Sequence, residues 1–478
     1  MMRVRQTPLF TAAATAMALL AIAGCTVGPD YVRPTAEAPA AYKEMPPAKP
    51  AQPADASLRG HWWEVYGDSK LNELEEGVAA ANQTLRAAEA NYRQAQAAVQ
   101  AARAGLYPTI GASVDANRAR QAGRTASIYT LGVPVDWEVD LWGKIRRSVE
   151  SSEESAQASA ADLETSRLSL QAQLAQSYFG LRIADRQKKL LDETVAAYQR
   201  SLDLTQNRYN AGVVARADVV QAETQLLGAQ VQAVEIGVAR AQFEHAIAIL
   251  IGTAPAEFSL AAAETTPPLP AIPAALPSEL LERRPDIAAA ERRVAAANAQ
   301  IGVATAAFYP SLSLSGNFGF AGSSFSNWIS LPNRVWSLGA ALATPLFDAG
   351  LRKAQRDETI AAYDATVANY RQTVLAGFQE VEDNLAVLRI LEEEAGVQQK
   401  ALESARKAVE LAMNQYRAGL VNYISVVALQ VIALAAERNA IELDGRRFNA
   451  SATLIKALGG GWRAADLPSA SRLLGRAP

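Results

Sequence analysis

Residue types that build reactive or metal-binding sites are scarce in this 478-residue chain. It has one cysteine, two histidines and five methionines, which leaves little material for a disulfide, a transition-metal site or a cysteine–histidine catalytic site. The net charge of −3 gives no basic footprint for nucleic acid. His61 and His245 lie far apart in sequence and are interpreted as surface or packing residues. An enzyme is therefore disfavoured, and we assign no catalytic or metal-binding residue.

Long hydrophobic runs are also scarce. Half of the residues are hydrophobic, yet after residue 25 no uninterrupted apolar run reaches the ~18 residues of a transmembrane helix. Any membrane crossing by the mature chain is therefore expected to be made by β-strands.

The apolar stretch from Leu9 to Ala23 has the length of a signal-peptide core and follows two arginines. It ends in Ile22-Ala23-Gly24-Cys25, which resembles a bacterial lipobox. We therefore expect a lipoprotein signal peptide over residues 1–24 and a covalent lipid, diacylglycerol and palmitate, on Cys25, with no other cofactor. An ordinary signal peptide followed by an incidental cysteine is the alternative. Thr26 stands where an inner-membrane retention signal usually has aspartate, which favours the outer membrane.

The chain contains an internal duplication. The segment Asn207–Val214 (NRYNAGVV) returns 207 residues later as Asn414–Val421 (NQYRAGLV). This period is far longer than the roughly 20–50 residues of a solenoid repeat, so each copy is expected to be a supersecondary assembly. Together with the proline-rich segments it divides the chain into a lipid-anchored extended tether (25–60), a first repeat (61–253), a proline-rich linker (254–277), a second repeat (278–460) and a C-terminal tail (461–478).

Each repeat predicts one very long helix, at 143–211 and at 350–418. Both segments are free of proline and carry apolar residues at helical spacing. At 1.5 Å per residue, a helix of roughly 68 residues reaches about 100 Å. A shorter antiparallel helix is expected to follow after turns at Gly212 and Gly419. The apolar stripes are thin, so these helices need many helical neighbours.

Each repeat also predicts a β-hairpin, at about 108–137 and about 310–346. Leu131, Val133 and Val135 alternate with small or polar residues, and the second copy repeats this pattern from Leu312 to Phe320. Alternation with aromatic residues near the strand ends is typical of a transmembrane barrel, although a half-buried soluble hairpin shows a similar pattern.

Four strands cannot close a barrel, and an open strand edge is not tolerated in lipid. Two chains would give about eight strands and a filled interior, whereas three give about twelve and room for a channel. The expected fold is therefore an internally duplicated α+β trimer. A 12-stranded transmembrane β-barrel, with four strands from each protomer, continues into a long periplasmic α-helical barrel.

At this point the sequence resembles a known family, the TolC-like outer-membrane efflux proteins, in their lipoprotein branch (OprM or NodT type). The similar segments are, in chain order, Cys25–Tyr31 (CTVGPDY), Trp62-Trp63, Trp137–Lys144 (WEVDLWGK), Leu280–Ile287 (LLERRPDI), Phe378–Leu385 (FQEVEDNL) and Leu458–Trp462 (LGGGW). Each segment alone is a weak pattern, but their number and order cover essentially the whole chain.

The resemblance implies the exit duct of a tripartite efflux pump, which passively conducts drugs or other small toxic solutes to the exterior. Its implied partners are two further copies of the chain, outer-membrane lipid, a periplasmic membrane-fusion adaptor and an inner-membrane resistance-nodulation-division transporter. The adaptor is expected to contact the helix turns at Gly212 and Gly419. A type I secretion channel or a metal-efflux channel is the alternative.

The resemblance also suggests a gate at the two turns. An aspartate after the first turn and a tyrosine before the second help to close family members, and Asp218 and Tyr416 match these positions. The arginine-containing lock of the family is missing, because Val421, Ala428 and Val431 stand at its positions. We hypothesise instead a hydrogen bond between Tyr416 and Asp218. The auxiliary candidates are Arg216, Arg417 and Asn422. The alternative is that Tyr416 and Asp218 only pack and cap their turns.

Overall fold

The computed structural model describes residues 26–44, 60–263, 266–270 and 277–469. The predicted signal peptide, Cys25, parts of the predicted tether and linker, and the end of the tail lie outside these residues. The helices are α1 (Ser69–Ala81), α2 (Gln83–Ala104), α3 (Lys144–Asn210), α4 (Arg216–Leu250), α5 (Pro277–Arg283), α6 (Pro285–Ala306), α7 (Leu351–Arg417) and α8 (Tyr423–Ala457). The strands are β1 (Thr109–Ile110), β2 (Ser113–Gln121), β3 (Arg124–Val139), β4 (Ser311–Gly322) and β5 (Arg334–Ala343).

The five strands form one antiparallel sheet that is four strands wide. β1 and β2 pair with successive parts of β3, which pairs on its other side with β4, and β4 pairs with β5. β1 and β2 therefore act as one strand that is interrupted at Gly111-Ala112. Gly111 donates its N–H to the carbonyl of Pro134 over 2.9 Å. The interruption lies opposite a proline, which has no N–H for a regular ladder.

The long helices α3 and α7 have 67 residues each and reach about 100 Å. Each ends at a glycine with left-handed backbone, Gly212 at φ 73° and Gly419 at φ 77°. The residue after each glycine closes the last turn, because Val213 donates to Arg208 O and Leu420 to Gln415 O, both over 2.9 Å. The two repeats thus reverse direction through the same hydrogen-bonded turn.

The junction between strand and long helix is also built twice. Asp140 accepts hydrogen bonds from the backbone of Ile145 and Arg146, both over 3.0 Å, and so caps α3. Asp348 accepts from the backbone of Gly350 over 3.0 Å and pairs with Arg352 at the start of α7. The Arg352 side chain, followed by backbone N–H groups, lowers the pKa of the Asp348 carboxyl.

The main apolar core lies at mid-height of the helices. Trp62, Tyr66, Tyr178, Phe179 and Phe448 pack there, with the Phe179 and Phe448 rings stacked at 4.5 Å. This core ties the start of the first repeat to α3 and α8.

One described helix, α8, is long and apolar enough to cross a membrane, with a mean hydropathy of 1.5 in its most apolar window. Only 17% of that window is buried in the protomer. The helix is not a continuous apolar run, because Gln430, Glu437 and Arg438 interrupt it. It packs lengthwise on α7 and also contacts α3, so we assign it to the helical layer.

Candidate functional site: the sheet faces and the helix turns

The sheet has one apolar face and one polar face. Directly paired residues share a face, so Leu131 lies beside Phe320, Val133 beside Phe318, and Phe318 beside Trp336. The opposite face is lined by small and polar side chains, including Asp136, Ser315 and Asn317. The apolar side chains are exposed in the protomer; Phe318 is 52% and Trp336 69% accessible. This distribution suits a wall with lipid on one side and water on the other.

Tryptophans mark the end of the sheet that adjoins the helices. Trp137 donates its indole N–H to Leu106 O over 3.1 Å, and Trp142 donates to Pro310 O over 2.8 Å. Trp142 also stacks on Tyr309 at 4.9 Å. Amphipathic rings favour a membrane interface, where one end is apolar and the other is wet.

At the opposite end of the long helices, Tyr416 is enclosed by aromatic and cationic groups. Its side chain is 1% exposed, and its ring lies edge-on to Tyr423 at 5.2 Å. Arg208 donates to the Tyr416 carbonyl over 2.6 Å, and its guanidinium lies 4.5 Å from the Tyr416 ring centroid. Arg208 thereby bridges the last turn of α3 to the last turn of α7.

The structure does not join Tyr416 to Asp218 within the protomer. The Tyr416 hydroxyl donates to Thr205 Oγ1 over 3.4 Å instead. Asp218 lies half-buried in the first turn of α4, near Tyr423. Burial raises the pKa of the Tyr423 hydroxyl to about 12, and Asp218 adds to this shift. The hydrogen bond hypothesised between Tyr416 and Asp218 is therefore not seen in a single protomer, while a gating role for these residues stays a prediction.

The other predicted turn residues are exposed. Gly212 and Gly419 lie in the turns, and Arg216, Arg417 and Asn422 lie beside them. Arg208 was not predicted as a functional residue, although it lies within the repeated segment Asn207–Val214. The second copy has Gln415 at the equivalent position, so the duplication offered no hint of a cationic bridge.

The described part of the tether lies docked along the protomer. Val27 donates to Trp142 O over 3.1 Å, and Asp30 pairs with the buried Arg147 at 2.7 Å. Further along, the Glu382 carboxylate accepts the backbone N–H groups of Lys43 (2.7 Å) and Glu44 (3.0 Å). The segment begins where strands meet helices, because Thr26 lies against Gly143.

A sheet with one apolar face, continued on one side by paired helices of about 100 Å, defines a protomer of an outer-membrane channel with a periplasmic helical extension. The comparisons with known proteins agree with this class. The model of the outer membrane efflux protein family matches residues 76–253 and 276–460, one match in each repeat, and the chain belongs to this family.

Named relatives cover nearly the full length. The chain is 32% identical over 453 residues to the toluene efflux pump outer membrane protein TtgC of Pseudomonas putida, covering 92% of this chain and 93% of that protein. It is also 32% identical over 428 residues to the pyoverdine export outer membrane protein OpmQ of Pseudomonas aeruginosa, covering 86% and 89% of the two chains. Among solved structures, the outer-membrane channel OprN superposes with a TM-score of 0.84 at 34% identity, covering 92% of this chain and 100% of that one.

These findings confirm the predicted TolC-like α+β fold, the outer-membrane location and the function as an efflux-pump exit duct. The chain is accordingly an outer-membrane component of an efflux pump.

Proposed function

We propose that three copies of this chain assemble into the duct, which carries drugs or other small toxic solutes from a periplasmic adaptor and an inner-membrane resistance-nodulation-division transporter to the exterior. The main support is the sheet. It is four strands wide, and its outer strands β2 and β5 have unpaired edges within the described residues. Lipid does not tolerate such edges, and three copies close them into a barrel with an open interior.

The helices support the same assembly. α7 exposes a stripe of apolar side chains at helical spacing, of which Val387 is 41%, Ile390 51% and Val397 66% accessible. A stripe of this kind on a long helix needs a helical neighbour. In the protomer α7 packs on α5, α6 and α8, and these side chains remain exposed, so we assign the stripe to a second copy of the chain.

The turns at Gly212 and Gly419 lie at the end of the helices farthest from the sheet. We assign adaptor contact to this end, since a periplasmic partner first meets the duct there. Val213 and Leu420, 61% and 75% exposed beside the two glycines, offer apolar contacts.

Lipid anchoring at Cys25 belongs to this proposal. Cys25 lies outside the described residues, but Thr26 packs beside Gly143 at the junction of strand and helix, next to Trp142. A lipid on the preceding residue therefore has a short path to the bilayer. Replacing Cys25 with serine should abolish palmitate labelling and leave trimer, since strand pairing drives closure and one lipid adds only membrane affinity. Unchanged labelling in this variant would rule out the anchor.

The duct is tested by the mass of the purified assembly and by its conductance in planar bilayers. We expect three protomers and a small or rarely open channel, because the helix ends close the wide barrel. A gene deletion should sensitise the host to hydrophobic drugs or solvents. A host that instead loses secretion of a protein, or becomes sensitive to metal ions alone, would contradict the proposed cargo.

The proposed gate at the helix turns is tested by measuring channel open probability in the same bilayers. The variants are Tyr416→Phe, Asp218→Ala, their double variant and Arg208→Ala. Similar, non-additive increases in open probability for the first three would show that Tyr416 and Asp218 act as one latch. An increase only in Arg208→Ala would assign closure to the Arg208 bridge. Wild-type behaviour in all four would remove these residues from the gate.

A further inference from the structure

The apolar face of the sheet ends in three arginines. Arg118 and Arg120 lie near the end of β2, and Arg334 is the first residue of β5. Arg118 pairs with Ser127 and Arg120 with Thr125 on β3. These partners lie on the face of Tyr129 and Leu131, because alternate residues of a strand share a face. Arg334 pairs with Phe320 on the same face. We call Arg118, Arg120 and Arg334 the arginine rim.

The position of the arginine rim along the membrane normal follows from the height of the apolar band. Trp137 and Tyr129 lie on this face of β3 and are separated by eight residues, about 26 Å along the strand at 3.3 Å per residue and so about 20 Å along the membrane normal for a tilted barrel strand. The apolar band of an outer-membrane barrel is about 25 Å tall and is flanked by aromatic residues. Ser127 and Thr125, the partners of Arg118 and Arg120, come next along β3, beyond Tyr129. The two β2 arginines thus lie at the outer edge of the band, on the side away from the helices, where the headgroups of the outer leaflet begin.

The charge of the rim is uncompensated. All three side chains are exposed, and none has an ion pair or a side-chain hydrogen bond within the described part of the chain. The acidic residues of the strands lie on the other face, where Asp115 pairs with Thr130, and Asp136 and Glu138 pair with Ser315 and Ser313. A lipid-facing surface therefore carries only positive charge at this level.

We propose that the arginine rim binds the phosphate groups of a phosphorylated glycolipid of the outer leaflet. A guanidinium offers two parallel N–H donors to phosphate oxygens, and arginine clusters beside a membrane attract anionic headgroups. The Ser127 and Thr125 hydroxyls lie beside Arg118 and Arg120 and can donate to the same phosphate. The rim occupies β2 and β5, the two outer strands, so in the proposed trimer a bound lipid lies at the seam between two copies.

The test uses the full-length protein in phosphatidylcholine nanodiscs and measures binding of bis-phosphorylated lipid A by native mass spectrometry. The comparison lipid is the same molecule with both phosphates removed. We expect the wild type to prefer the phosphorylated lipid by at least about tenfold, and the preference to weaken with salt. The triple variant Arg118→Gln/Arg120→Gln/Arg334→Gln should lose it.

Arg124→Gln is the matched control. Arg124 lies in the same hairpin as Arg118 and Arg120, is exposed and adjoins Thr125, so it points to the opposite face. It should keep the wild-type preference. The corresponding triple lysine variant keeps the charge and should retain part of the binding, which covers the case of a glutamine variant that does not assemble. The proposal is overturned if the wild type binds both lipids equally, or if Arg124→Gln loses as much binding as the rim variant.

Discussion

The two long helices carry the same triplet at the same place and use it differently. Leu181-Arg182-Ile183 of α3 and Leu388-Arg389-Ile390 of α7 are 207 residues apart. In α3, Arg182 is 5% and Ile183 8% exposed. In α7, Arg389 is 50% exposed at its side chain and Ile390 51%. Equivalent residues are therefore interior in one helix and open in the other.

The cause is the position of each helix in the protomer. α3 packs against α1, α2, α4, α6 and α8, whereas α7 packs against α5, α6 and α8. Along α3 the only large hydrophobic residue that is exposed is Tyr209 in its last turn, while α7 exposes several along its length. After duplication, one copy of the helix became the centre of the protomer and the other its edge. The edge is the surface that a neighbouring copy can use.

The largest effect is expected from a charge at the isoleucines. Ile183→Asp removes a side chain that packs closely on Gly445 and buries a carboxylate there. Loss of the side chain alone costs about 2–5 kcal/mol, and the buried charge adds to this cost, so little folded protein should accumulate. Ile390→Asp should leave the protomer folded and weaken the trimer. Unheated gels of outer-membrane fractions distinguish the two results, and the comparison fails if both variants lose folded protein equally.

Replacing the arginines of the two triplets should show the same asymmetry in stability, with a smaller effect than at the isoleucines. Arg182 donates to Ala261 O over 2.8 Å and to the buried Asp185 over 3.3 Å, so Arg182→Ala should cost about 1.5–3 kcal/mol. Arg389, which is half exposed, pairs with Glu44 at 2.6 Å and lowers the pKa of the Glu44 carboxyl. This pair acts only while Glu44 is ionised, so its small contribution is lost as the pH falls. Arg389→Ala should leave the denaturation midpoint at neutral pH unchanged, and a shift as large as that of Arg182→Ala would argue against the difference in burial.

The local elements could be read from the sequence. The long helices predicted at 143–211 and 350–418 run from Lys144 to Asn210 and from Leu351 to Arg417, because proline-free periodic segments between glycines define both ends. The interruption at Gly111-Ala112 was not predicted, since it depends on Pro134 in the facing strand. The contact of Arg208 with Tyr416 was not predicted either. It joins residues about 200 positions apart, and periodicity does not say which helices become neighbours.

The short helices that open the two repeats differ in one buried carboxyl. Glu75 of α1 is enclosed, whereas Glu279 and Glu282 of α5 are not buried. Glu75 is fully buried, and its carboxyl oxygens have no hydrogen-bond partner within the described residues. Burial raises its pKa well above the usual range.

Replacing Glu75 with leucine should therefore stabilise the protein by about 1–2 kcal/mol at neutral pH. In the unfolded chain the carboxyl ionises freely, so the wild type loses stability as the pH rises from its ordinary pKa toward the raised one. The gain from Glu75→Leu should thus be larger near pH 8 than near pH 5. Thermal denaturation of the wild type and the variant near pH 5 and near pH 8 measures this gain in stability. A gain independent of pH would mean that packing, and not ionisation, causes the difference.

The smallest effect on stability is expected from removing the hydroxyl of the tyrosine that precedes each turn. Tyr209 and Tyr416 occupy equivalent positions before Gly212 and Gly419, yet Tyr209 is 39% exposed and Tyr416 1%. Tyr416→Phe removes only the long 3.4 Å hydrogen bond to Thr205 and keeps the ring against Arg208 and Tyr423, so it should cost about 0.5 kcal/mol. Tyr209→Phe should leave the stability of the protomer unchanged, because the Tyr209 side chain is exposed. Midpoints of thermal denaturation for the two variants, measured beside the wild type, give the difference. A larger cost for Tyr209→Phe would show that Tyr209 is buried in the assembled duct, and that the exposure of the first turn belongs to the single protomer alone.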